Sequence, residues 1–394
     1  MQCSLYVHIP FCSVKCDYCG FYSAPVDSEY SRFGEYIAAL LRNAERFFRE
    51  FGVDRVPTVY IGGGTPSLLG ASWMKRLLSG LTEVIPGTPF EFTVEANPES
   101  TDEAFLQTCL DWGVTRISLG VQSFYAPSRE VVHRKVSNSV LKKGLALIQE
   151  AFGNRFSADL IAGLPLQNES ILLNDIEQLL SYSPEHISLY ALTVDPGTPL
   201  ETYTKQHKTF LPESEEADAL WIAGRDALEK AGYAQYEVSN FVPKHGKPSF
   251  HNIRYWRMEN WLGLGSAASS TIIDDATGTG RRLTFPPDVT AYINGVQPAL
   301  EALDKITLMK ETVLMGFRYI HGPDEILFNK RFGRGIGSYI PDTLAGWREK
   351  GLAEEKPALT KTGLLLLNSF LAEAFAELEA TYGNAVYTSH SPAR

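Results

Sequence analysis

The sequence predicts an α/β protein: a partial (β/α)6 barrel followed by a mainly helical, winged-helix-like region. Two observations support this fold class. In the first half of the chain, short apolar runs alternate with helical patterns at intervals of roughly 30 residues, as in a parallel sheet. After Pro199 the alternation ends, and helical patterns dominate from residue 297. Six such units suit an open, partial barrel better than a closed barrel of eight.

Six apolar runs predict the strands, and each is nearly continuous because a parallel sheet is covered on both faces. They are SLYVHIP (4–10), PTVYIGGG (57–64), FEFTVEANP (90–98), RISLGVQS (116–123), FSADLIAGLP (156–165) and HISLYALTV (186–194). Helical patterns separate them, over 31–48, 71–85, 103–112, 138–152 and 169–182. The first helix carries Phe33, Ile37 and Leu40 on one face, which is typical of a helix packed on a sheet.

The patterns divide the chain into three parts. Residues 1–205 form the barrel, 206–296 a bridging region, and 297–394 a small helical domain that we expect to cap the barrel opening. The bridging region holds a helix over 214–233, the strand-like YEVSNF, and the HNIRYW and GLGSAA segments. A Pro-Pro break before residue 297 marks its end. The tail YGNAVYTSHSPAR should be loose.

Composition excludes several classes of protein. The net charge of −10 and the absence of a basic recognition stripe argue against nucleic-acid binding. No apolar run reaches the ~18 residues of a membrane span. The N-terminus MQCSLYVHIP lacks the basic and long apolar regions of a signal peptide, so we expect a cytoplasmic protein. Five cysteines among 394 residues do not form a disulfide framework.

Three cysteines, Cys12, Cys16 and Cys19, are spaced C-x3-C-x2-C. Disulfide pairing would leave one unpaired, and a zinc site would lack a fourth ligand, for which His8 is the nearby candidate. A [4Fe–4S] cluster held by three thiolates leaves one iron open for a ligand. This spacing, with Tyr18 before the last cysteine, is typical of radical S-adenosylmethionine (SAM) enzymes. The remaining Cys3 and Cys109 are ordinary small, buried residues.

Polar residues follow the predicted strands at their carboxyl ends. They are the GGGT turn (62–65), Glu95, Gln122 and Asp159. Catalytic and binding groups concentrate at this rim in parallel α/β barrels. Each residue alone has a plain interpretation as a turn or helix cap. Together, on strands of one barrel, they indicate a binding site beside the cysteine loop.

The sequence resembles the radical SAM proteins of the oxygen-independent coproporphyrinogen III oxidase group, and within it the haem chaperones. The resemblance covers residues 1 to about 370 and rests on motifs in one order. These are YVHIPFCSVKCDYCGF, YIGGGTPS, EANPE, RISLGVQSF with VVHRK, DLIAGLP, HISLY, YEVSNF, HNIRYW and GLGSAA.

The resemblance implies roles for individual residues. Cys12, Cys16 and Cys19 would hold the cluster, with SAM on its open iron. Residues matching SAM-contacting positions are Tyr6, Tyr18, Gly63, Gly64, Thr65 and Glu95. Gln122, Arg134 and Asp159 match positions around a second SAM in the oxidase; in a protein with one SAM they would line its ribose and carboxylate. Arg134 has an alternative role as the ion-pair partner of a barrel acid.

Three features favour a haem chaperone over the oxidase. The oxidase has a fourth cysteine two positions after the third, where this chain has Phe21. The arm that precedes the oxidase barrel is not expected here. HNIRYW matches a motif associated with haem, so His251 would be an axial ligand, at the surface or under the cap, with Tyr255 and Trp256 as a stacking wall. Alternatively, these residues tie down a loop and pack in the core.

The resemblance thus implies a chaperone that binds a [4Fe–4S] cluster, SAM and haem, exchanges haem with donor or acceptor proteins, and needs a reductant for the cluster. It allows a homodimer and peripheral membrane association through an acceptor. We expect no coproporphyrinogen oxidase activity, although the SAM positions are intact. The open alternatives are the oxygen-independent oxidase and a radical SAM methyltransferase that modifies haem.

Overall fold

A computed structural model describes residues 1–26, 32–206 and 211–389 and places a twelve-stranded sheet at the centre of the molecule. The strands are β1 (Ser4–Ile9), β2 (Phe11–Cys12), β3 (Ala24–Pro25), β4 (Thr58–Gly63), β5 (Glu91–Ala96), β6 (Arg116–Gln122), β7 (Phe156–Ala162), β8 (His186–Ala191), β9 (Tyr233–Gln235), β10 (Asn240–Pro243), β11 (Trp261–Leu264), β12 (Ser269–Asp274), β13 (Thr279–Thr284) and β14 (Ala299–Leu303). Strands β2 and β3 form a separate parallel pair.

Helices follow the strands of the first half and dominate the last third. They are α1 (Arg32–Glu50), α2 (Gly70–Val84), α3 (Glu103–Asp111), α4 (Ala126–Val131), α5 (Asn138–Phe152), α6 (Glu169–Leu180), α7 (Pro199–Lys205), α8 (Ser214–Lys230), α9 (Phe250–Trp256), α10 (Val289–Ile293), α11 (Lys305–Gly316), α12 (Glu325–Phe332), α13 (Pro341–Glu349), α14 (Lys361–Leu365) and α15 (Leu367–Ser389). Side-chain caps begin many of them; in the barrel, for example, Asp102, Ser137 and Asn168 each accept a hydrogen bond from a first-turn N–H.

The sheet order is β14-β13-β12-β11-β1-β4-β5-β6-β7-β8-β10-β9. The six predicted strands are β1 and β4–β8; they are mutually parallel, and helices cross between them. The α/β class with an open, parallel barrel and a helical C-terminal region is therefore confirmed. Antiparallel strands extend both edges: β10 and β9 beyond β8, and β12–β14 beyond β11.

One parallel strand was not predicted. Strand β11 lies alongside β1, with Gly263 opposite Tyr6, so the start of the GLGSAA segment belongs to the sheet. A side chain at Gly263 would overlap the backbone of Ser269, and one at Gly265 would overlap the backbone of His8. These glycines permit the close approach of β11 to its neighbours. Strand β11 has only four residues, and two of them are Trp261 and Gly263. It therefore lacks the long apolar run by which the other strands were recognised.

Two apolar cores hold the molecule together. The first lies between the sheet and the barrel helices and includes Leu5, Val59 and Leu119. The second is built by α11–α15 around Phe317, Phe328, Trp347 and Phe370. Residues before position 297 join the second core too, so the boundaries of the three parts remain a prediction.

The C-terminus differs from the expectation of a loose tail. Helix α15 continues to Ser389, and residues 390–394 lie outside the described residues, as does Ser31, where the first helix was predicted to begin. Across the described chain, every helix is too short or too polar to cross a membrane.

Candidate functional site

The cysteine loop leaves the end of β1 and is closed by the β2–β3 pair. The backbone N–H of Ala24 donates to Pro10 O (2.7 Å), and that of Val26 donates to Cys12 O (2.9 Å). Within the loop, the N–H of Cys19 donates to Cys16 O (3.1 Å). These bonds fold the loop back on itself, so all three clustered cysteines line one cleft at the carboxyl ends of the strands.

The sulfur chemistry fits an iron–sulfur cluster. All five cysteines are free, and Cys3 and Cys109 are buried in the core, away from the cleft. Burial raises the pKa of the Cys12 and Cys19 thiols, so a bound metal is needed to favour their thiolates. No three His, Cys, Asp or Glu side chains of the described residues converge tightly enough to bind a single ion. Thiolates of a four-iron cluster bind separate irons, so this donor set suits a cluster better than zinc.

The GGGT turn lies against the cysteine loop. The N–H of Gly64 donates to Ile9 O (2.8 Å), the N–H of Thr65 donates to Phe11 O (2.7 Å), and Thr65 Oγ1 lies 3.7 Å from Cys12 Sγ. A Cβ at Gly64 would lie 2.7 Å from Phe11 O and 3.0 Å from Cys12 Sγ. The turn needs glycine because the backbone must approach the first cysteine closely.

A cleft of about 390 Å³ opens above these two loops. The structure brings together all of the predicted site residues there except Tyr6 and His251. The lining residues from that set are Cys12, Cys16, Tyr18, Cys19, Gly63, Gly64, Thr65, Glu95, Gln122, Arg134 and Asp159. A cleft of this size accommodates a nucleoside-sized ligand.

Two carboxyl groups face the cleft from β5 and β7. Glu95 accepts hydrogen bonds from Tyr60 Oη–H (2.7 Å) and from the N–H of Gly63 (3.0 Å), while burial raises its pKa. Burial also raises the pKa of Asp159 to about 7. The Oδ1 atom of Asp159 is inaccessible to solvent and has no hydrogen-bond partner among the described residues. It is available to accept a ligand hydroxyl.

Arg134 and Gln122 flank the same wall. Arg134 Nη2 donates to Asn97 Oδ1 (2.8 Å) and to Gly120 O (2.9 Å). Burial opposes its charged form, but the nearby Glu99 carboxylate and Cys16 raise the pKa of Arg134, so its role as the partner of an acid stays open. Its Nε has no partner in the described part of the chain. Gln122 has φ 67°, and the register of β6 against β7 shifts between Gly120 and Gln122. An irregularity of this kind redirects a side chain at a sheet rim.

Sequence reasoning missed several lining residues. Asn97 links the two halves of the wall, because its Nδ2 donates to Thr65 Oγ1 (2.9 Å) and its Oδ1 accepts from Arg134. Its position two residues after Glu95, at the end of the same strand, was a usable signal. Tyr190, within β8, and Asp195, after it, also line the cleft. A Cβ at Gly20 would overlap the Asp195 carboxylate, which shows how closely the cysteine loop approaches that acid.

Tyr6 lies below the cleft, in a chamber of about 240 Å³ inside the barrel. Its Oη is 2.9 Å from His8 Nδ1, and its ring stacks on Tyr60. The chamber is lined by Tyr6, Phe21, Tyr60, Gly63, Glu95, His251, Asn252 and Tyr255. Phe21, Gly63 and Glu95 also line the cleft, so the two spaces share a wall.

His251 lies inside the barrel rather than at the surface or under the cap as expected. Helix α9 enters the floor of the barrel, where Glu91 accepts from the N–H of Phe250 (2.9 Å) and of His251 (2.8 Å). The imidazole is 1% exposed and stacks on Tyr60. Burial lowers its pKa to about 3, so the ring is neutral. Nδ1 is bonded to Thr58 Oγ1 (2.9 Å), and the buried Nε2 has no partner among the described residues.

The fold and the three-cysteine cleft together define a radical SAM protein. The family model described as Radical SAM superfamily matches residues 6–179. Among solved structures, the coproporphyrinogen III oxidase HemN from Escherichia coli superposes with a TM-score of 0.78 and 21% identity, over 95% of this chain and 90% of that chain. At this identity the superposition shows a common fold.

Sequence relatives narrow the family. The haem chaperone HemW of Bacillus subtilis is 32% identical over 95% of this chain and 100% of its own length. A mitochondrial radical S-adenosyl methionine domain-containing protein 1 of Mus musculus is 33% identical, over 93% of this chain and 82% of that protein. The HemW of Escherichia coli is 36% identical over 68% of this chain and 70% of that protein. The chain belongs to the HemW family of the radical SAM superfamily, and membership of that superfamily implies a [4Fe–4S] cluster and SAM.

Proposed function

We propose that this protein is a haem chaperone that holds a [4Fe–4S] cluster and SAM in its cleft and transfers haem to acceptor proteins. The observation that carries the proposal is the identity of the residue at the end of the cysteine loop. Phe21 stands where the oxidase group has a fourth cysteine, and its ring is 68% exposed at the border between cleft and chamber. The full-length similarity to a HemW chaperone supports the same function.

The three cysteines would hold the cluster, and a reduced cluster of this kind supplies one electron to SAM. The chain's own groups would then position SAM. The Oδ1 of Asp159, which has no partner among the described residues, suits a ribose hydroxyl, and the unpaired Nε of the Arg134 guanidinium suits a carboxylate. The bulged turn at Gln122 aims its side chain at the same space. We therefore assign these residues to one SAM molecule.

We assign the haem iron ligand to His251. A neutral imidazole nitrogen with a free lone pair is the form that binds iron, and His251 Nε2 meets this requirement. Tyr60 and Tyr255 pack on the ring at 5.3 and 4.9 Å and provide aromatic walls. Because the imidazole lies inside the barrel, haem reaches it through the chamber or by a displacement of the seven-residue helix α9.

The function is tested by assaying the anaerobically reconstituted protein for haem binding, haem transfer and coproporphyrinogen decarboxylation. We expect stoichiometric haem binding, transfer to an apo-haem protein, and no protoporphyrinogen. His251→Ala should shift the Soret band or lower haem occupancy while the iron of the cluster is retained. Decarboxylation without haem binding would show the oxidase instead. SAM-dependent loss of haem absorbance would show a haem-modifying enzyme.

The partners follow from this function. We propose that haem, a protein that donates or accepts it, and a reductant for the cluster all interact with the chain. A membrane would be reached only through an acceptor, and two chains can associate as a homodimer. Crosslinking to a haem-acceptor protein, compared with and without bound haem, tests the first of these interactions.

A further inference from the structure

The middle of the cysteine loop is attached to the connection between β6 and β7. Asp17, which follows the second cysteine of the loop, is buried and is held at three atoms. Its N–H donates to Val132 O (3.1 Å), and its carbonyl oxygen accepts from the N–H of Leu200 (3.0 Å). Its Oδ2 accepts a hydrogen bond from Nδ1–H of His133, because a carboxylate oxygen only accepts. Asp17 does not line the cleft, so its side chain is turned away from the ligand side of the loop.

The connection to which Asp17 is bonded is a rigid turn. Helix α4 ends there in a Schellman motif. The N–H of His133 donates to Glu130 O (3.1 Å), and the N–H of Arg134 donates to Arg129 O (2.8 Å). The guanidinium of Arg129 is fully buried and donates to Val136 O (2.8 Å), on the far side of the turn. These bonds lie within the connection itself, so the turn is a fixed support for the cysteine loop.

His133 occupies the position of this motif that favours glycine. Its φ is 56°, in the left-handed region where a Cβ is unfavourable, and the residue at this point of a Schellman motif is most often glycine. The side chain is 44% exposed, so burial in the core does not explain a histidine here. The hydrogen bond to Asp17 is the interaction that glycine could not make. A strained backbone kept together with one specific contact indicates a function for that contact.

We propose that His133 is a positioning residue: its imidazole anchors Asp17 to the turn after α4, and this anchor holds the second and third cysteines of the loop in the arrangement that receives the cluster. The proposal rests on the proposed cluster site and adds to it a residue outside the cleft. Arg134 is the next residue in the chain and lines the cleft, so the same turn also sets the spacing between the cysteine loop and that arginine.

Substitutions at position 133 separate the side chain from the backbone. His133→Gly removes the imidazole, but relief of the backbone strain offsets the lost hydrogen bond, so the iron-free variant should melt within a few degrees of wild type. His133→Asn tolerates the left-handed backbone and places an amide N–H near the position of Nδ1, so it should restore wild-type behaviour. Ser183→Gly is the matched control. Ser183 also has a positive φ (51°) and is exposed, but it precedes β8 at the opposite end of the barrel.

The first readout uses the iron-free protein. We expect iodoacetamide to alkylate Cys16 and Cys19 several-fold faster in His133→Gly than in wild type, as measured by peptide mass spectrometry, because the loop that holds them is no longer anchored. The buried Cys3 and Cys109 should react no faster. The second readout is the release of iron from the reconstituted protein to a chelator, which should also be several-fold faster in His133→Gly.

Asp17→Ala gives the same test from the loop side and leaves the turn unchanged. It should match His133→Gly, and the double variant should be no worse than either single one. Wild-type rates in His133→Gly, or equally raised rates in His133→Asn or Ser183→Gly, would overturn the proposal. A wild type that takes up no cluster would instead refute the underlying cluster site, and the alkylation rates would still decide whether His133 anchors the loop.

Discussion

The buried polar groups at the two ends of the barrel differ in whether they have hydrogen-bond partners. At the floor, His186 is bonded through both nitrogens, to Ser157 Oγ (2.7 Å) and Tyr236 Oη (2.8 Å), and Glu91 pairs with Arg116 at 3.3 Å. At the rim, Asp159 Oδ1 and Arg134 Nε have no partner among the described residues. Satisfied buried groups stabilise the architecture, whereas unsatisfied groups that line a cleft are candidates for contacts with a ligand. This contrast assigns the rim to binding and the floor to support.

His251 is the floor residue that departs from this pattern. Its backbone N–H is held by Glu91, as expected for the supporting end, but its Nε2 is unpaired like the rim groups. His251 therefore has a backbone held like that of a supporting residue and an Nε2 atom without a partner among the described residues. The residue also lines the chamber. Its assignment as the haem ligand is our proposal, and it lies far from the strand ends at which sequence reasoning sought the site.

The largest expected effect is at the rim. Replacing Cys12, Cys16 or Cys19 by Ala should remove the cluster, so that iron falls from about four atoms per chain to near zero after reconstitution. Cys3→Ala and Cys109→Ala, which change buried thiols of the core, are the matched controls and should retain full iron. Iron content and visible absorption measure the outcome. Retention of the cluster by any one of the first three variants would contradict the assignment.

The next effect is at the floor. Glu91→Ala should destabilise the fold by about 3 kcal/mol or more, because it leaves the buried Arg116 unpaired and removes the acceptor of the first N–H groups of α9. Denaturant unfolding of the iron-free protein measures this. The exposed pair of Lys205 and Glu201 offers a control, since Glu201→Ala should change stability little. Equal effects of the two variants would remove the distinction between floor and surface.

A smaller effect should distinguish binding from support within the rim. Glu95→Gln should weaken the effect of SAM on the EPR spectrum by about tenfold, because the carboxylate that orders Gly63 and Tyr60 loses its charge. The iron content should be unchanged, since Glu95 is not a cluster ligand. Loss of iron together with SAM binding would mean that Glu95 acts mainly on the cysteine loop.

How much of the structure could be predicted from the sequence depends on how far apart the interacting residues lie in the chain. The six parallel strands were predictable because each is buried on both faces and therefore consists of a nearly continuous apolar run. The cleft residues were predictable because strand ends of a parallel barrel converge, and eleven of them were predicted from motifs at this rim and in the cysteine loop. Strand β11, with Gly263 in close contact, carried no such pattern.

The position of His251 could not be predicted for a different reason. Helix α9 is held in the floor by Glu91, which is 160 residues away from His251 in sequence. No local pattern encodes a contact of that separation. The HNIRYW segment alone is compatible with a surface loop, a core helix or a ligand site, and the structure shows a buried helix with one free nitrogen.

The smallest expected effect is a difference in pH dependence between the two ends. Asp159 at the rim has a folded-state pKa of about 7, above its ordinary 3.8, so between these values the folded protein binds more protons than the unfolded chain. Its contribution to stability is therefore full below pH 4 and is lost as pH rises through 7. His251 at the floor has a pKa lowered to about 3, so the unfolded chain binds the proton between pH 3 and 6.5. Its contribution is lost as pH falls through that window.

Asp159→Asn should therefore stabilise the iron-free protein at pH 8 by about 1 kcal/mol, with the gain disappearing near pH 4. His251→Gln should reduce the loss of stability between pH 6.5 and 4, whatever its effect at pH 8. Urea unfolding at four or five pH values measures both slopes, with Asp226→Asn, an exposed acid, as the control. If both variants changed the slope in the same direction, the rim acid and the floor imidazole would not differ in the way their surroundings require. Opposite changes would confirm that the rim contains a buried acid whose charged form is unfavourable, while the floor contains a buried imidazole that stays uncharged.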